Sequence, residues 1–296
     1  MDPGRQAADG NLFRRVAFAV IAIPLALAVV WHGGWPLAIL LALASGLGAR
    51  ELFGLAARQG VRPASELGAI TAAALPLLVY ATLALPEVRA LVESSWPYLF
   101  ALWFMALLTW ALAARAPAEK PLEAAGVTLL AVAYTSALPA FLIVIRHTGF
   151  GERSWPAAWL VFFPLVVTWI CDTAAMFGGR ILKGPKLAPT ISPGKTRSGA
   201  AAGVVGALLV APVFGTLVFP RAGLDIALWQ LLAMAAVLSV VGQLGDLAES
   251  LFKREAGVKD SSRLIPGHGG VLDRFDSLYF VIPVAAAMYR LFGITG

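Results

Sequence analysis

An all-α, polytopic membrane bundle is the fold that this sequence predicts, and three observations carry it. Of 296 residues 59% are hydrophobic and only 14% are charged, with a mean hydropathy of +0.79. Soluble domains carry nearer a quarter charged residues. Apolar runs of a length suited to about 30 Å of hydrocarbon recur along the whole chain. The basic residues, which give a net charge of +6, lie mostly in short polar segments between those runs. That placement points to anionic lipid or a phosphate ligand and away from nucleic acid.

Nine spans follow in order: residues 16–31, 36–49, 69–85, 98–113, 126–145, 156–177, 199–219, 226–247 and 277–292. The first follows Arg14 and Arg15 and reads as an uncleaved span, not a secretory signal. The twelve residues MDPGRQAADGNL read as a disordered tail. The second span has an uncertain end, because Arg50 and Glu51 fall where it should stop. Most of the nine tryptophans sit at span ends, where an interfacial belt places them. Cys171, the single cysteine, excludes an internal disulfide and reads as a small buried side chain.

With the N-terminus inside, 18 of the 23 Lys and Arg residues face the cytoplasm and 5 the outside. Such a bias fixes orientation. It also brings acids together. Asp172 falls near the inner end of the sixth span and Asp246 at the inner end of the eighth. Asp273 and Asp276 immediately precede the ninth. Ionisable residues at that depth are costly and usually functional. For Asp172 the plain alternative is one ion pair with a neighbouring helix, but the other carboxylates arriving nearby favour a metal or substrate role. Gln243, Asp246, Ser250 and Lys253 recur at helical spacing on one face, with Glu249 at its edge. A solvated face at the membrane boundary is the alternative there.

The loop 180–197 is basic and free of acids, and its Ser192-Pro193-Gly194-Lys195-Thr196 directly precedes the seventh span. Backbone N–H groups at a helix start, beside lysine and hydroxyls, suit an anion. The stretch ends like a phosphate-binding loop but fails as one. Pro189 occupies the first glycine position, and no strand is expected before it.

Residues 250–276 read SLFKREAGVKDSSRLIPGHGGVLDRFD. Lys253, Arg254, Lys259, Arg263 and Arg274 are interleaved there with Asp260, Asp273 and Asp276 around Gly267-His268-Gly269-Gly270. Phosphate and metal-ion chemistry needs such carboxylates, cations and a pliant turn. His268 could be a base or a ligand, although a histidine in a glycine turn is more often a prop or a phosphate contact. His32 and His147 fall on the outer side and are assigned nothing.

The spacing Ser250-x-Phe252-Lys253-Arg254, Lys259-Asp260-x-Ser262, Pro266-x-His268-Gly269-Gly270 and Asp273-Arg274-x-Asp276 resembles the motif of the phosphatidate cytidylyltransferase (CDP-diacylglycerol synthase) family. The Asp172 segment, the SPGKT loop and the GQLGDLAES helix are also similar to that family, whereas residues 1–120 resemble it only in hydropathy. The resemblance implies CTP and phosphatidate as substrates and CDP-diacylglycerol and pyrophosphate as products, in phospholipid biosynthesis at a bacterial plasma membrane. It implies Mg²⁺ as cofactor, scope for a second metal ion, and a homodimer. On that reading Asp246, Asp273 and Asp276, with Asp172, hold metal. Ser192, Lys195 and Thr196 contact the CTP phosphates, and Lys253, Arg254, Lys259 and Arg274 meet phosphates or the lipid head. His268, Gly269 and Gly270 shape the turn. Residues 1–120 would form a scaffold and 121–296 the catalytic region.

The chemistry suits those parts. The attacking phosphate monoester has a second pKa near 6 and is mostly a dianion at pH 7, so no general base is required. The obstacle is bringing it to a highly anionic nucleotide, which metal and Lys/Arg must neutralise. Two rivals share some of these features. A CDP-alcohol phosphotransferase would need D-G-x-x-A-R, but Thr173 follows Asp172; a CTP-dependent lipid kinase would use similar groups. A transporter would place acids at mid-membrane with access from both faces, whereas these acids gather on one side.

Overall fold

A computed structural model describes residue 20 and residues 24–265 and 269–295. The expected N-terminal tail, residues 16–19 and 21–23 of the first expected span, and His268 lie outside the described residues. The described helices are α1 Gly34–Ala57, α2 Ser65–Ala84, α3 Pro86–Ala114, α4 Pro121–Val132, α5 Leu138–His147, α6 Trp155–Leu182, α7 Arg197–Val213, α8 Leu228–Glu255, α9 Leu272–Phe275 and α10 Leu278–Leu291. A hairpin of β1 Lys186–Ala188 and β2 Ser192–Thr196 is the only sheet among the described residues.

Seven helical stretches are long and apolar enough to cross a membrane: Gly34–Ala57, Ser65–Ala84, Pro86–Ala114, Pro117–His147, Trp155–Leu182, Arg197–Val218 and Leu228–Glu255. Among the described residues the expected count of nine is therefore not confirmed. The first span falls partly outside the described residues, and its residues 24–31 are helical. The last, α10, has 14 residues, about 21 Å of helix against about 30 Å of hydrocarbon. Large apolar side chains such as Leu112, Leu122 and Leu291 stay exposed on the outer surface, as a lipid-facing bundle requires. A large buried cluster that includes Phe163, Phe219, Leu231 and Tyr289 fills the interior between α5, α6, α7, α8 and α10.

Several expected edges move, with consequences for the site. Arg50 and Glu51 do not end the second span, because α1 continues through them to Ala57. α8 runs on to Glu255, so Gln243, Asp246, Glu249, Ser250 and Lys253 share one continuous helix. Asp172 is ten residues from the end of α6 and Asp246 nine from the end of α8, about 15 and 14 Å of helix respectively. Both acids are therefore sunk below the helix ends.

The α6–α7 pair is set by small residues. Added Cβ atoms on Gly178 and Gly206 would lie 2.3 Å from the Ala202 Cβ and 2.5 Å from the Ala174 Cβ, and one on Gly199 would lie 2.7 Å from the Ala175 carbonyl oxygen. Glycine lets these backbones touch, as at other close membrane helix pairs. Between α4 and α5 a π-helical segment, Ala133–Ala137, buries Tyr134, Thr135 and Ser136. Thr135 donates to the Ser45 carbonyl and Ser136 to the Ala72 carbonyl, so hydroxyls tie the irregular turn to α1 and α2. At the opposite end from Asp172, the fully buried Arg146 donates to the carbonyls of Val30, Trp31 and Gly151. Those bonds satisfy the last carbonyls of the helix over residues 24–32.

Candidate active site

A cavity of about 720 Å³ opens at the end of the bundle where α6 leaves and α7 enters. Asp172, Gln243 and Asp246 line one part; Arg180, Lys183, Lys186, Lys195 and Thr196 line another. Glycine and alanine of α6 and α7 form the floor, so the close packing that joins these helices also leaves room between their polar ends.

Lys195 reaches the cavity from β2 and pairs with Asp246. The expectation that no strand precedes this stretch needs correction. Ser192–Thr196 is itself a strand, paired antiparallel with Lys186–Ala188. Lys195 is presented from that strand, and Thr196 caps α7 by accepting the Gly199 N–H at 3.0 Å. Ser192 sits at the turn end of the hairpin opposite Ala188 and does not line the cavity.

Asp276 approaches from the other side. A Cβ on Gly245 would lie 2.8 Å from the Asp276 carbonyl oxygen, so this acid packs against α8 beside Asp246. Burial, reinforced by the Asp246 charge, pushes the Asp276 carboxyl up to about 6, although the Ser277 N–H and the lysines Lys253 and Lys195 oppose the shift. Asp172 is within Coulombic reach of both Asp246 and Asp276. Asp172 and Asp246 thus line the cavity from α6 and α8, with Asp276 close behind them at the entry to α10. Hard oxygen donors of this kind suit Mg²⁺. Among the described residues, however, no three Asp, Glu, His or Cys side chains stand close enough to hold a metal together.

Asp273 stands apart from that trio. Its Oδ1 accepts from the Lys253 ammonium at 2.6 Å, and its Oδ2 accepts from the Ser261 N–H, the Ser261 hydroxyl and the Gly270 N–H. Burial would raise this carboxyl, but those hydrogen bonds prevail and hold it below the usual carboxylate range. Lys253 is itself buried between Asp273 and Glu249. Gly269 has φ +80°, and a Cβ there would lie 2.7 Å from Asp273 Oδ2.

The remaining basic residues disperse. Arg254 donates to the Ile191 and Val258 carbonyls, pinning the hairpin to the end of α8. Lys259 lines a separate cavity of about 470 Å³ with Arg58 and Arg263. Arg274 is exposed, and its side chain makes no hydrogen bond to another described residue. The structure therefore brings Asp172, Lys195, Thr196, Asp246 and Asp276 together, and uses Lys253, Arg254, Asp273, Gly269 and Gly270 to build the frame around them.

Two groups escaped the sequence reading. Arg180, Lys183 and Lys186 line the cavity; their only signal was the acid-free basic run to which they belong. Glu51 is buried and accepts from Ser261, Ser262, Val271 and Leu272. An acid inside an otherwise apolar helix was the available sign, and it was taken for a helix end.

Fold and site together define a polytopic membrane protein with a sunken pocket of carboxylates and cations suited to phosphate. The model of the cytidylyltransferase family matches residues 13–292, and the chain belongs to that family. It is similar to the phosphatidate cytidylyltransferase of Staphylococcus saprophyticus, 45% identical over 148 residues that are 48% of this chain and 55% of that protein. The enzyme of the same name from Brucella suis is 43% identical over 192 residues, 56% of this chain and 66% of that protein. For Staphylococcus epidermidis the figures are 48% over 124 residues, 42% of this chain and 46% of its relative. The chain thus spans about half to two thirds of the length of the curated relatives it matches.

Proposed function

We propose that this protein transfers the cytidylyl group of CTP to phosphatidate, giving CDP-diacylglycerol and pyrophosphate at the cytoplasmic face of a bacterial plasma membrane. The observation that carries this reading is the cavity itself, which gathers Asp172 and Asp246 with Arg180, Lys183, Lys186 and Lys195 at a membrane helix end. The family match and the bacterial relatives support the reaction and the membrane.

In the reaction the phosphatidate phosphate attacks the CTP α-phosphorus, a new P–O bond forms, and the bond to the β-phosphate breaks to release pyrophosphate. Attacker and electrophile are both anions, so the barrier is largely electrostatic and positional. Lys195, Arg180, Lys183 and Lys186 bind the triphosphate and offset charge on the departing pyrophosphate. The first N–H groups of α7, beside Thr196, add an anion-favouring helix start. One or two of Asp172, Asp246 and Asp276, together with substrate phosphates, would hold Mg²⁺, which when bound supplies charge neutralisation. Lys195 pairs with Asp246 at the cavity, so the two side chains hold one another there. Asp273 acts one layer out, through the loop it holds.

Label position in the lipid product tests the reading against a CTP-dependent lipid kinase. Detergent-purified protein is given phosphatidate, Mg²⁺ and CTP labelled at either the α or the γ phosphate. Label from the α position in lipid and from the γ position in pyrophosphate is expected; γ label in lipid would reassign the chemistry to phosphoryl transfer.

A further inference from the structure

Glu51 lies on α1, far in sequence from every residue of the cavity, yet its carboxylate is fully engaged by the loop that leads to Asp276. Oε1 accepts from the Ser262 hydroxyl at 2.7 Å and the Val271 N–H at 3.0 Å; Oε2 accepts from the Ser261 hydroxyl at 3.0 Å and the Leu272 N–H at 2.8 Å. The Val271 and Leu272 N–H groups, the Ser262 hydroxyl and the Ser261 hydroxyl, whose one proton is shared with Asp273, converge on this buried carboxylate. Val271 and Leu272 open α9, so Glu51 supplies from another helix the acceptor that a capping side chain would provide. Ser261 and Ser262 belong to the opposite end of the same loop. One carboxylate thus closes the loop at both ends.

Asp273 closes it a second time through Ser261 and Gly270, and Lys253 ties Asp273 back to α8, the helix that carries Asp246. A continuous set of charge-assisted bonds therefore runs from α1 through the loop to α8. Asp276 follows α9 directly and packs against Gly245. Its position relative to Asp246 depends on where α9 is held. Gly270 reports how tight the joint is: a Cβ there would lie 2.2 Å from the Ser261 hydroxyl oxygen and 2.3 Å from Glu51 Oε2.

We propose that Glu51 is a positioning residue, whose carboxylate clamps the 261–272 loop so that Asp276 is set beside Asp246 before substrate and metal bind. The proposal rests on the reaction given above. Pre-set ligands are what an electrostatically limited step needs, because misplacement is felt in turnover more than in binding. Gln at position 51 keeps the shape but turns an amide N–H₂ toward two donors.

The test compares wild type with Glu51→Gln, Gly270→Ala and their double variant, with Ser262→Ala as a milder loop-side change should Glu51→Gln fail to fold. Amide hydrogen exchange over residues 261–272 reads the clamp without reference to activity. Steady-state kinetics reads its consequence. The expected result for Glu51→Gln is faster exchange at Val271 and Leu272, roughly a 10- to 100-fold lower kcat, a CTP KM changed by less than about 3-fold, and a several-fold higher Mg²⁺ requirement. Gly270→Ala should match it, and the double variant should add little, because both break one joint. For Ser262→Ala the same pattern at smaller amplitude is expected. Unchanged exchange in these variants would overturn the clamp, and faster exchange with unchanged kcat and Mg²⁺ dependence would overturn the positioning role. A wild type inert toward CTP whose loop amides are exposed by Glu51→Gln would sink the reaction and leave the clamp standing.

Discussion

At the residue scale the acids around the loop divide by what touches them. Asp246 meets Lys195 and Ser250 and opens to the cavity; Asp273 is engaged by Lys253, Ser261 and Gly270 and does not line it. Asp172→Asn and Asp246→Asn should each lower CDP-diacylglycerol formation by about 100-fold or more, the loss of several kcal/mol of charge stabilisation. Their unfolding midpoints should stay within a few degrees of wild type. Asp273→Asn should behave differently, losing about 3–5 kcal/mol through a broken buried ion pair as well as losing activity. Because the folded-state pKa of Asp273 is depressed, its stabilisation is present above the ordinary carboxylate value near 3.9 and disappears as pH falls through the lower folded value. Wild-type midpoints measured from about pH 5 to pH 3 should fall, and Asp273→Asn should lack that component. The sequence motif identified Asp273 and Asp276 together but could not separate them. The difference lies in Lys253 and Ser261 reaching one acid and not the other, and no spacing encodes that. Glu51 was illegible for the same reason: its partners are more than 200 residues away.

At the scale of elements, the apolar runs made the helices legible because burial in lipid demands long hydrogen-bonded segments. Their ends were less so. α1 carries Arg50 and Glu51 without stopping, since Glu51 finds four donors and Arg50 meets Glu66 at 3.3 Å. α8 continues past the membrane boundary because Lys253 pairs with Glu249 and Asp273. The hairpin around Ser192–Thr196 was missed for want of a strand signal, Pro193 and Gly194 being poor strand formers. The α6–α7 contact gives a prediction at this scale. Gly206→Leu would drive a side chain into Ala174, whose Cβ is 2.5 Å from the added Cβ. Overpacking of this kind costs about 1–3 kcal/mol, and by spreading the helices it should lower turnover and unfolding midpoint together. Normal activity in this variant would show that the helix separation does not set the cavity.

At the scale of the whole molecule, the bundle holds its polar cavity at one end and the buried Arg146 at the other. On the orientation proposed from the distribution of lysine and arginine, the cavity end faces the cytoplasm. With Cys171 buried, a cysteine replacing the exposed Lys183 should react with an impermeant maleimide only from the inside of cells, and one replacing Arg89 only from the outside. The arrangement suits a reaction that joins a water-soluble nucleotide to a phosphate fixed in the bilayer. The most direct test is pyrophosphate release by purified protein in phosphatidate-containing vesicles, with each of CTP, phosphatidate and Mg²⁺ omitted in turn. The account predicts release that requires all three, with one CDP-diacylglycerol formed per pyrophosphate. Protein shown to be folded that releases none, or that releases pyrophosphate without phosphatidate, would contradict it.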